Sequence, residues 1–104
     1  MHSRIVTFRL ADLTAEAYLV LAGEVAASFA TWPGLASKIW IADHETNTYG
    51  GIYVFESKAA ADLSRTTELF TAMQSNPNFL DLSIAEFDVL AEATAITGGS
   101  LATT

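Results

Sequence analysis

Two apolar runs joined by a short polar segment constrain the fold of this 104-residue chain more than any other feature. The first run extends from Leu35 to Asp43 and the second from Tyr49 to Phe55, with the polar residues 44–48 between them. Such runs, bounded by a polar turn, predict an antiparallel β-hairpin. The first run is apolar at both odd and even positions, so we expect both faces of its strand to be covered.

The turn sets the register of this hairpin. If Asp43 lies opposite Gly50, Trp40 lies opposite Tyr53 on the neighbouring strand. Gly50 and Gly51 leave the second strand without side chains where it begins. Such a gap marks a bulge, or a close approach by a ligand or another part of the backbone.

Two further strands and a helix are predicted from the spacing of apolar residues. Arg4 to Leu10 alternates in polarity and predicts the first strand, and Leu80 to Leu90 predicts the last. Between the first strand and the hairpin, apolar residues recur at intervals of three and four, which is typical of a helix. Asp12 or Thr14 can cap this helix, and Pro33-Gly34 ends it.

A second helix is predicted after the hairpin. It begins after Ser57, extends through Met73, and is expected to kink at the weak helix formers Thr66-Thr67. The element order is therefore β-α-β-β-α-β, which predicts a ferredoxin-like α+β fold. In that fold a four-stranded antiparallel sheet carries two helices on one face.

Composition predicts a single domain with a partner for its uncovered sheet face. Hydrophobic residues make up 51% of the chain and charged residues 16%, and residues 1–104 suffice for one domain, with 92–104 expected to be a flexible tail. The sheet face without helices is not polar at alternate positions, so a twofold homodimer would cover it. The space between helices and sheet is then the candidate pocket.

The net charge disfavours two classes of partner. Five Lys and Arg against twelve Asp and Glu give a formal charge of −7, which disfavours nucleic acid and anionic membranes. No run of apolar residues is long enough to span a membrane. The N-terminal ten residues also lack the apolar segment of a secretion signal, so we expect a cytoplasmic protein.

Catalytic motifs are scarce. Without cysteine, a Gly-x-Ser-x-Gly motif or a glycine-rich phosphate loop, the chain carries no signature of a nucleophilic triad or a nucleotide cofactor. His44, beside Asp43 and Glu45, is either a general base oriented by a carboxylate or a solvated turn residue. These three are a poor metal site, since strand neighbours point to opposite faces. His2 is expected at a mobile terminus.

Aromatic residues give a clearer indication of function. Indole and phenol groups in an apolar cavity can orient a planar aromatic substrate, although aromatic residues also simply fill cores. Arg65 either faces a substrate oxyanion or pairs with Glu68 or Asp62. The polar aromatics that cluster around the hairpin are Trp32, Trp40, Tyr49 and Tyr53, and the expected pocket walls are Phe29, Phe55, Phe70 and Phe87.

Two motifs resemble a known family. The segments Pro33-Gly34-Leu35 to Lys38-Ile39-Trp40 and Gly50-Gly51-Ile52-Tyr53-Val54-Phe55 are similar to the YdhR-type monooxygenases, over about residues 4–90. The resemblance implies a dimeric α+β barrel. It also implies oxidation of a phenolic, polyketide-like molecule by O₂ with neither metal nor organic cofactor.

The resemblance also implies roles for some residues. Trp40 and Tyr53 lie in the matching motifs and would donate to a substrate oxyanion, and Gly50 and Gly51 would let a flat substrate approach the backbone. Two alternatives remain: a non-oxidative isomerase or cyclase of the same fold, and a module that binds a small molecule without turnover. Dependence of turnover on O₂ separates the first alternative from the oxygenase, and product formation separates the second.

Overall fold

A computed structural model describes residues 1–98, which form one four-stranded sheet with helices. The strand order across the sheet is β2-β3-β1-β4, and every neighbouring pair is antiparallel. This confirms the predicted ferredoxin-like α+β fold. The strands are β1 (His2–Leu10), β2 (Leu35–Asp43), β3 (Thr48–Phe55) and β4 (Phe79–Asp88), and the helices are α1 (Ala15–Ala30), α2 (Lys58–Ser64), α3 (Glu68–Ser75) and α4 (Ala91–Ile96). In residues 1–98, no helix is both long and apolar enough to span a membrane.

The predicted second helix is two helices. Helix α2 ends at Ser64, and Thr67 begins a new helix because its side-chain oxygen accepts a hydrogen bond from the Phe70 amide at 3.2 Å. The threonine pair therefore interrupts the helix, where the sequence predicts only a kink. Within the predicted flexible tail, residues up to Ile96 belong to α4, and 99–104 lie outside the described residues.

The hairpin is confirmed, but its predicted register is wrong by two residues. Trp40 lies opposite Gly51, and Tyr53 instead faces Lys38. The pairing begins with Asp43 opposite Thr48, so the turn is shorter than the sequence suggests. Because side chains alternate between faces, Lys38, Trp40 and Tyr53 share the helix-facing side of the sheet.

Asn47 explains the shorter turn. It adopts a left-handed backbone conformation (φ 54°), which asparagine tolerates better than most residues. Its side-chain amide donates a hydrogen bond to the carbonyl oxygen of Leu10 at 2.9 Å. This bond attaches the hairpin turn to the end of β1 and allows Thr48 to begin the strand.

The core lies between the helices and one face of the sheet. Alternate residues of β1 are buried on that face, while the residues between them lie on the opposite face. Thr14 begins α1 as its N-cap, accepting from the Ala17 amide at 3.1 Å. The buried hydrophobic residues are Val6, Phe8, Leu10, Tyr18, Phe29, Trp32, Tyr49, Tyr53, Phe55, Ala61, Phe70 and Met73.

A polar network lies at one end of this core, around Arg4, which has no exposed surface. Its guanidinium donates to Glu86 at 2.7 Å, to the Ser64 hydroxyl at 2.9 Å and to the Ala61 carbonyl at 2.8 Å. His2 belongs to the same network, 2.7 Å from the other oxygen of Glu86, and is 4% exposed. The expectation of a mobile His2 is therefore wrong, because β1 begins at this residue and the carboxylate holds its ring.

Glu86 is the shared acceptor of three basic side chains. Burial alone would raise the pKa of its carboxyl group, but hydrogen bonds from Arg65, Arg4 and His2 outweigh burial and lower the pKa to about 2. The folded state thus favours the ionised carboxylate. Its contribution to stability is complete above the ordinary carboxyl pKa and is lost as the pH falls towards about 2.

We expect Glu86→Gln to lower the free energy of unfolding by about 2–4 kcal/mol near neutral pH, since Arg4 keeps a buried charge without its counter-charge. The difference from the unmodified protein should shrink as the pH falls below about 4. Urea unfolding near neutral pH, and again below about pH 4, measures this difference in the free energy of unfolding. Asp62→Asn is the control, because the 3.0 Å Lys58–Asp62 pair is exposed and should contribute under about 0.5 kcal/mol. Equal losses in the two variants would contradict the prediction.

Gly50 is required by the backbone of the neighbouring strand. A Cβ atom at this position would overlap the carbonyl oxygen of Val6 in β1. Of the explanations that the sequence allows for Gly50 (a bulge, a close approach by a ligand, or a close approach by other backbone), the structure shows a close approach by other backbone. Gly51 has a different neighbour, because a Cβ there would lie 2.8 Å from Cε of Lys38.

Gly50→Ala should therefore destabilise the protein by about 3 kcal/mol or more, because β1 and β3 must separate to admit the methyl group. Gly23→Ala is the matched control. Gly23 lies inside α1, where the added Cβ would meet no atom within 4 Å apart from its chain neighbours and the backbone of its own helix, and alanine is the better helix former. Thermal unfolding should show the control more stable by about 0.5–1 kcal/mol. A Gly50 variant as stable as the unmodified protein would refute the argument.

Candidate functional site

A cavity of about 150 Å³ lies between the helix-facing side of the sheet and helices α1 and α3. Its walls are mostly apolar, as is typical of small-molecule sites. Several lining residues of α1, α3 and β2 are partly exposed, so the cavity is open to the surface. It is lined by Val6, Phe8, Tyr18, Leu21, Ala22, Val25, Phe29, Lys38, Trp40, Gly50, Gly51, Tyr53, Leu69, Ala72, Met73, Asn76 and Phe79.

The periodicity of each element explains why these residues meet. Residues of α1 at helical spacing from Tyr18 to Phe29 form its inner stripe. On the sheet, Lys38, Trp40 and Tyr53 lie on the inner face, and Gly51 between them contributes no side chain. The cavity therefore exists where a glycine faces a gap between two helices.

Lys38 lies in a cage of three aromatic rings. Its Nζ atom is 3.4 Å from the ring centres of Phe29 and Trp40 and 4.6 Å from that of Tyr53. The Phe29 and Trp40 rings are nearly perpendicular, at 84°, and so present two faces to the same nitrogen. Ring faces attract an ammonium group through their quadrupole, but they have no basic lone pair that could take up its proton.

The electrostatics of Lys38 differ from those of a surface lysine. Burial lowers the pKa of its amino group from 10.5 to about 7. No carboxylate among residues 1–98 lies within ion-pair distance of it to oppose this effect. Near neutral pH both the amine and the ammonium are therefore populated, and the group can accept or donate a proton.

Two tyrosines also line the cavity. Burial raises the pKa of Tyr53 well above its ordinary value, although the nearby positive charge of Arg4 opposes this, and its hydroxyl lies 4.0 Å from Sδ of Met73. Burial and the neighbouring Tyr49 raise the pKa of Tyr18 to about 12. Both hydroxyls therefore keep their protons at neutral pH and can donate hydrogen bonds to a ligand.

The structure brings five of the predicted site residues together at the cavity: Trp40, Tyr53, Gly50, Gly51 and Phe29. Trp40 is 36% exposed, which places it at the rim, whereas Tyr53 is buried. The Phe29 and Tyr53 ring centres are 6.0 Å apart. The aromatic hairpin thus supplies one wall of the cavity, and Phe29 of α1 supplies the wall opposite.

Four other predicted pocket residues lie behind that wall and do not line the cavity. Trp32 stacks on Tyr53, with ring centres 6.1 Å apart, and Phe55 stacks on Tyr53 at the same distance. Tyr49 packs beside Tyr18, and Phe70 lies under the guanidinium of Arg4. These residues belong to the core and support the lining. Tyr49 and Phe55 share the inner face of β3 with Tyr53 but lie on either side of it along the strand, and Trp32 and Phe70 lie outside the sheet. A fifth predicted wall residue, Phe87, lies on the opposite face of the sheet, where it is exposed.

The two predicted polar catalytic residues lie elsewhere. His44 is in the hairpin turn, where its Nδ1 atom is 2.7 Å from the Tyr49 hydroxyl. Arg65 pairs with Glu86 at 2.6 Å, and not with either of the acidic side chains that the sequence suggested. Both lie outside the cavity lining, since the turn and the end of α2 belong to other parts of the fold.

Sequence reasoning missed Lys38 as a site residue. A single lysine on a mostly apolar strand, two residues before a tryptophan, is the signal that could have found it. The incorrect hairpin register hid its relation to Tyr53. No group of three or more potential metal-ligating side chains occurs in residues 1–98.

The fold and the cavity define a class: a small α+β protein with an apolar small-molecule site built on one ferredoxin-like sheet. The family model described as "Putative mono-oxygenase ydhR" matches residues 5–100, and the chain belongs to this family. The sequence-based resemblance is thereby confirmed. No curated protein matches the chain significantly.

Solved structures share the fold at low sequence identity. An antibiotic biosynthesis monooxygenase is 19% identical with a TM-score of 0.70, covering 86% of this chain and 99% of its own. Protein PA3566 from Pseudomonas aeruginosa is 22% identical with a TM-score of 0.68, covering 86% and 93%. A mutant of SnoaB, a cofactor-independent oxygenase from Streptomyces nogalater, is 18% identical with a TM-score of 0.69, covering 86% and 92%.

Proposed function

We propose that this protein is a monooxygenase that oxidises a hydroxylated aromatic molecule with O₂ and without a metal or organic cofactor. The observation that carries the proposal is the apolar cavity, lined by Tyr18 and Tyr53, in which the rings of Phe29, Trp40 and Tyr53 surround a single amino group, that of Lys38. Family membership supports the monooxygenase class. The shared fold of SnoaB, described as a cofactor-independent oxygenase, supports the absence of a cofactor.

The proposed reaction requires little from the protein beyond a suitable environment for the substrate. A phenol loses its proton, and the electron-rich anion gives one electron to O₂. The radical pair combines into a peroxide at a ring carbon, and loss of water leaves a quinone. One O₂ thus supplies one carbonyl oxygen and one water, whose two hydrogens come from the substrate. The protein contributes by orienting the ring, excluding water and stabilising the anion.

The tyrosine hydroxyls fit the last of these roles. Both Tyr18 and Tyr53 keep their protons at neutral pH, so each is a donor that can meet a substrate oxyanion without being deprotonated itself. Donors of this kind stabilise developing negative charge most strongly where water is excluded. The apolar walls supply that exclusion.

Incubation with a panel of hydroxylated aromatics should give O₂ uptake and quinone absorbance in a ratio of about one to one, above the rate in buffer alone. Ala22→Phe, which fills the cavity from α1, should lower the rate by about tenfold or more. Ala27→Phe is the matched control, because Ala27 is exposed on the same helix outside the cavity, and it should keep the full rate.

Two outcomes would contradict the oxygenase. Equal turnover of the substrate under argon would favour the isomerase or cyclase. Binding that Ala22→Phe abolishes, with no product in air for any member of the panel, would favour the binding module. Each outcome is read from the same cavity variant, so the pocket itself is tested in all three cases.

We also propose that the protein is a homodimer joined through the uncovered sheet face. Residues of β1, β2 and β4 that point away from the helices include the exposed apolar side chains Ile5, Ile39 and Phe87. An apolar face of several strands is costly in water, and a second copy of the same face is its natural cover.

Light scattering after gel filtration should give twice the 11.1 kDa chain mass. Phe87→Glu, which places a charge on the face, should give the single-chain mass. Leu19→Glu is the control, since Leu19 is a comparably exposed apolar residue on α1, away from that face. A monomeric unmodified protein, or dissociation by the control alone, would refute this interface.

A further inference from the structure

Lys38 is the one formally charged residue among the cavity-lining residues in the described part of the chain. The other polar groups come from separate elements: Tyr18 from α1, Tyr53 from β3 and Asn76 from the end of α3. None of them carries a negative charge at neutral pH. An anion in this cavity would therefore meet one positive group and no repelling carboxylate from any surrounding element.

Lys38 is also without a polar partner among residues 1–98. An ammonium group has three N–H donors, and its close neighbours here are the ring faces of Phe29, Trp40 and Tyr53. The ring faces hold the group in position, and they leave its N–H bonds available to a ligand atom. Arg4, the other inward-facing cation of the sheet, has three protein acceptors.

Proton affinity and space agree with this arrangement. Because burial lowers the pKa of Lys38 to about 7, a large fraction of the free amine exists near neutral pH. The cavity of about 150 Å³ is the size that admits a single benzene-like ring. Larger substituents would extend towards the opening of the cavity.

We infer that Lys38 is a catalytic base whose Nζ accepts the proton of a ring hydroxyl, so that the cavity binds a single-ring phenol as its phenolate. The O–H bond breaks, its electron pair stays on oxygen, and an N–H bond forms at Nζ. This proton transfer needs no oxidant. The inference rests on the proposed function only for the later oxidation, in which the phenolate is the electron-rich species that reduces O₂.

Binding of 4-nitrophenol under argon tests the proton transfer without oxidation, because its phenol and phenolate differ in colour. Bound to the unmodified protein, it should ionise at a lower pH than in free solution. Lys38→Met should reverse this shift, since an apolar cavity without a cation disfavours the anion, and should weaken phenolate binding about tenfold or more. Lys58→Met, which removes an exposed lysine of α2, should behave as the unmodified protein.

Lys38→Arg separates the role of the positive charge from the role of the proton acceptor. Its permanent cation should keep the phenolate bound, but it cannot accept a proton, so O₂ uptake should fall about a hundredfold or more. Full activity of this variant would overturn the catalytic-base role. An unshifted ionisation of 4-nitrophenol in the unmodified protein, or an equal shift in Lys38→Met, would overturn phenolate binding at Lys38.

Failure of this inference and failure of the oxygenase give different results. A Lys38-dependent shift without any O₂ uptake would support the phenolate site and overturn the proposed oxidation. O₂ uptake that persists in Lys38→Met would support the oxygenase and overturn the role of Lys38. Circular dichroism confirms the fold of each variant, and replacing a half-buried charge by methionine in apolar surroundings should not impair folding.

Discussion

The pairing of Trp40 with Gly51 across β2 and β3 is the constraint on which the cavity depends. It sets the phase of both strands, so that Lys38, Trp40 and Tyr53 project towards the helices. It also places a residue without a side chain in the middle of that face. A slip by one residue would turn the whole set to the other side of the sheet, and any larger residue at Gly51 would press on Lys38.

The rest of the fold holds this pairing in place from both sides. Towards the centre of the sheet, β1 approaches so closely that Gly50 has no room for a Cβ atom. At the turn, the Asn47 side chain ties the hairpin to the end of β1. At the opposite end of β1, Arg4 joins β4 and α2 through Glu86 and Ser64. The cavity thus lies over a sheet whose central strand is fastened at both ends.

Hydrophobic periodicity was sufficient to predict the element order, the hairpin and the two glycines as a special position. It was insufficient where a few local interactions decide the outcome. Asn47 in a left-handed conformation shortens the turn and shifts the register by two residues. The side chain of Thr67 caps a new helix where the sequence suggests a kink. These are hydrogen bonds of single side chains, and no average over a window of residues contains them.

The candidate site shows the same division. Trp40 and Tyr53 could be predicted as site residues because the motifs and the strands that contain them could be predicted. Trp32 and Phe55 are also aromatic, but they stack on Tyr53 within the core and do not line the cavity. His44 attracted attention through the chemistry of its side chain, yet the turn places it outside the cavity, against Tyr49. Residue type identified the wall, and only three-dimensional position distinguished its surface from its support.

Comparison of the two inward-facing cations shows why one is structural and the other is available for chemistry. Arg4 is wholly buried, and its charge is met by a carboxylate, a hydroxyl and a carbonyl of the protein. Lys38 is less buried, yet only ring faces surround its nitrogen. Burying an ion without acceptors is unfavourable, and one that the fold retains beside a cavity is most simply explained by a ligand that completes its coordination. The aromatic cage then holds the amino group beside the cavity. Without the rings, the flexible side chain would turn towards water.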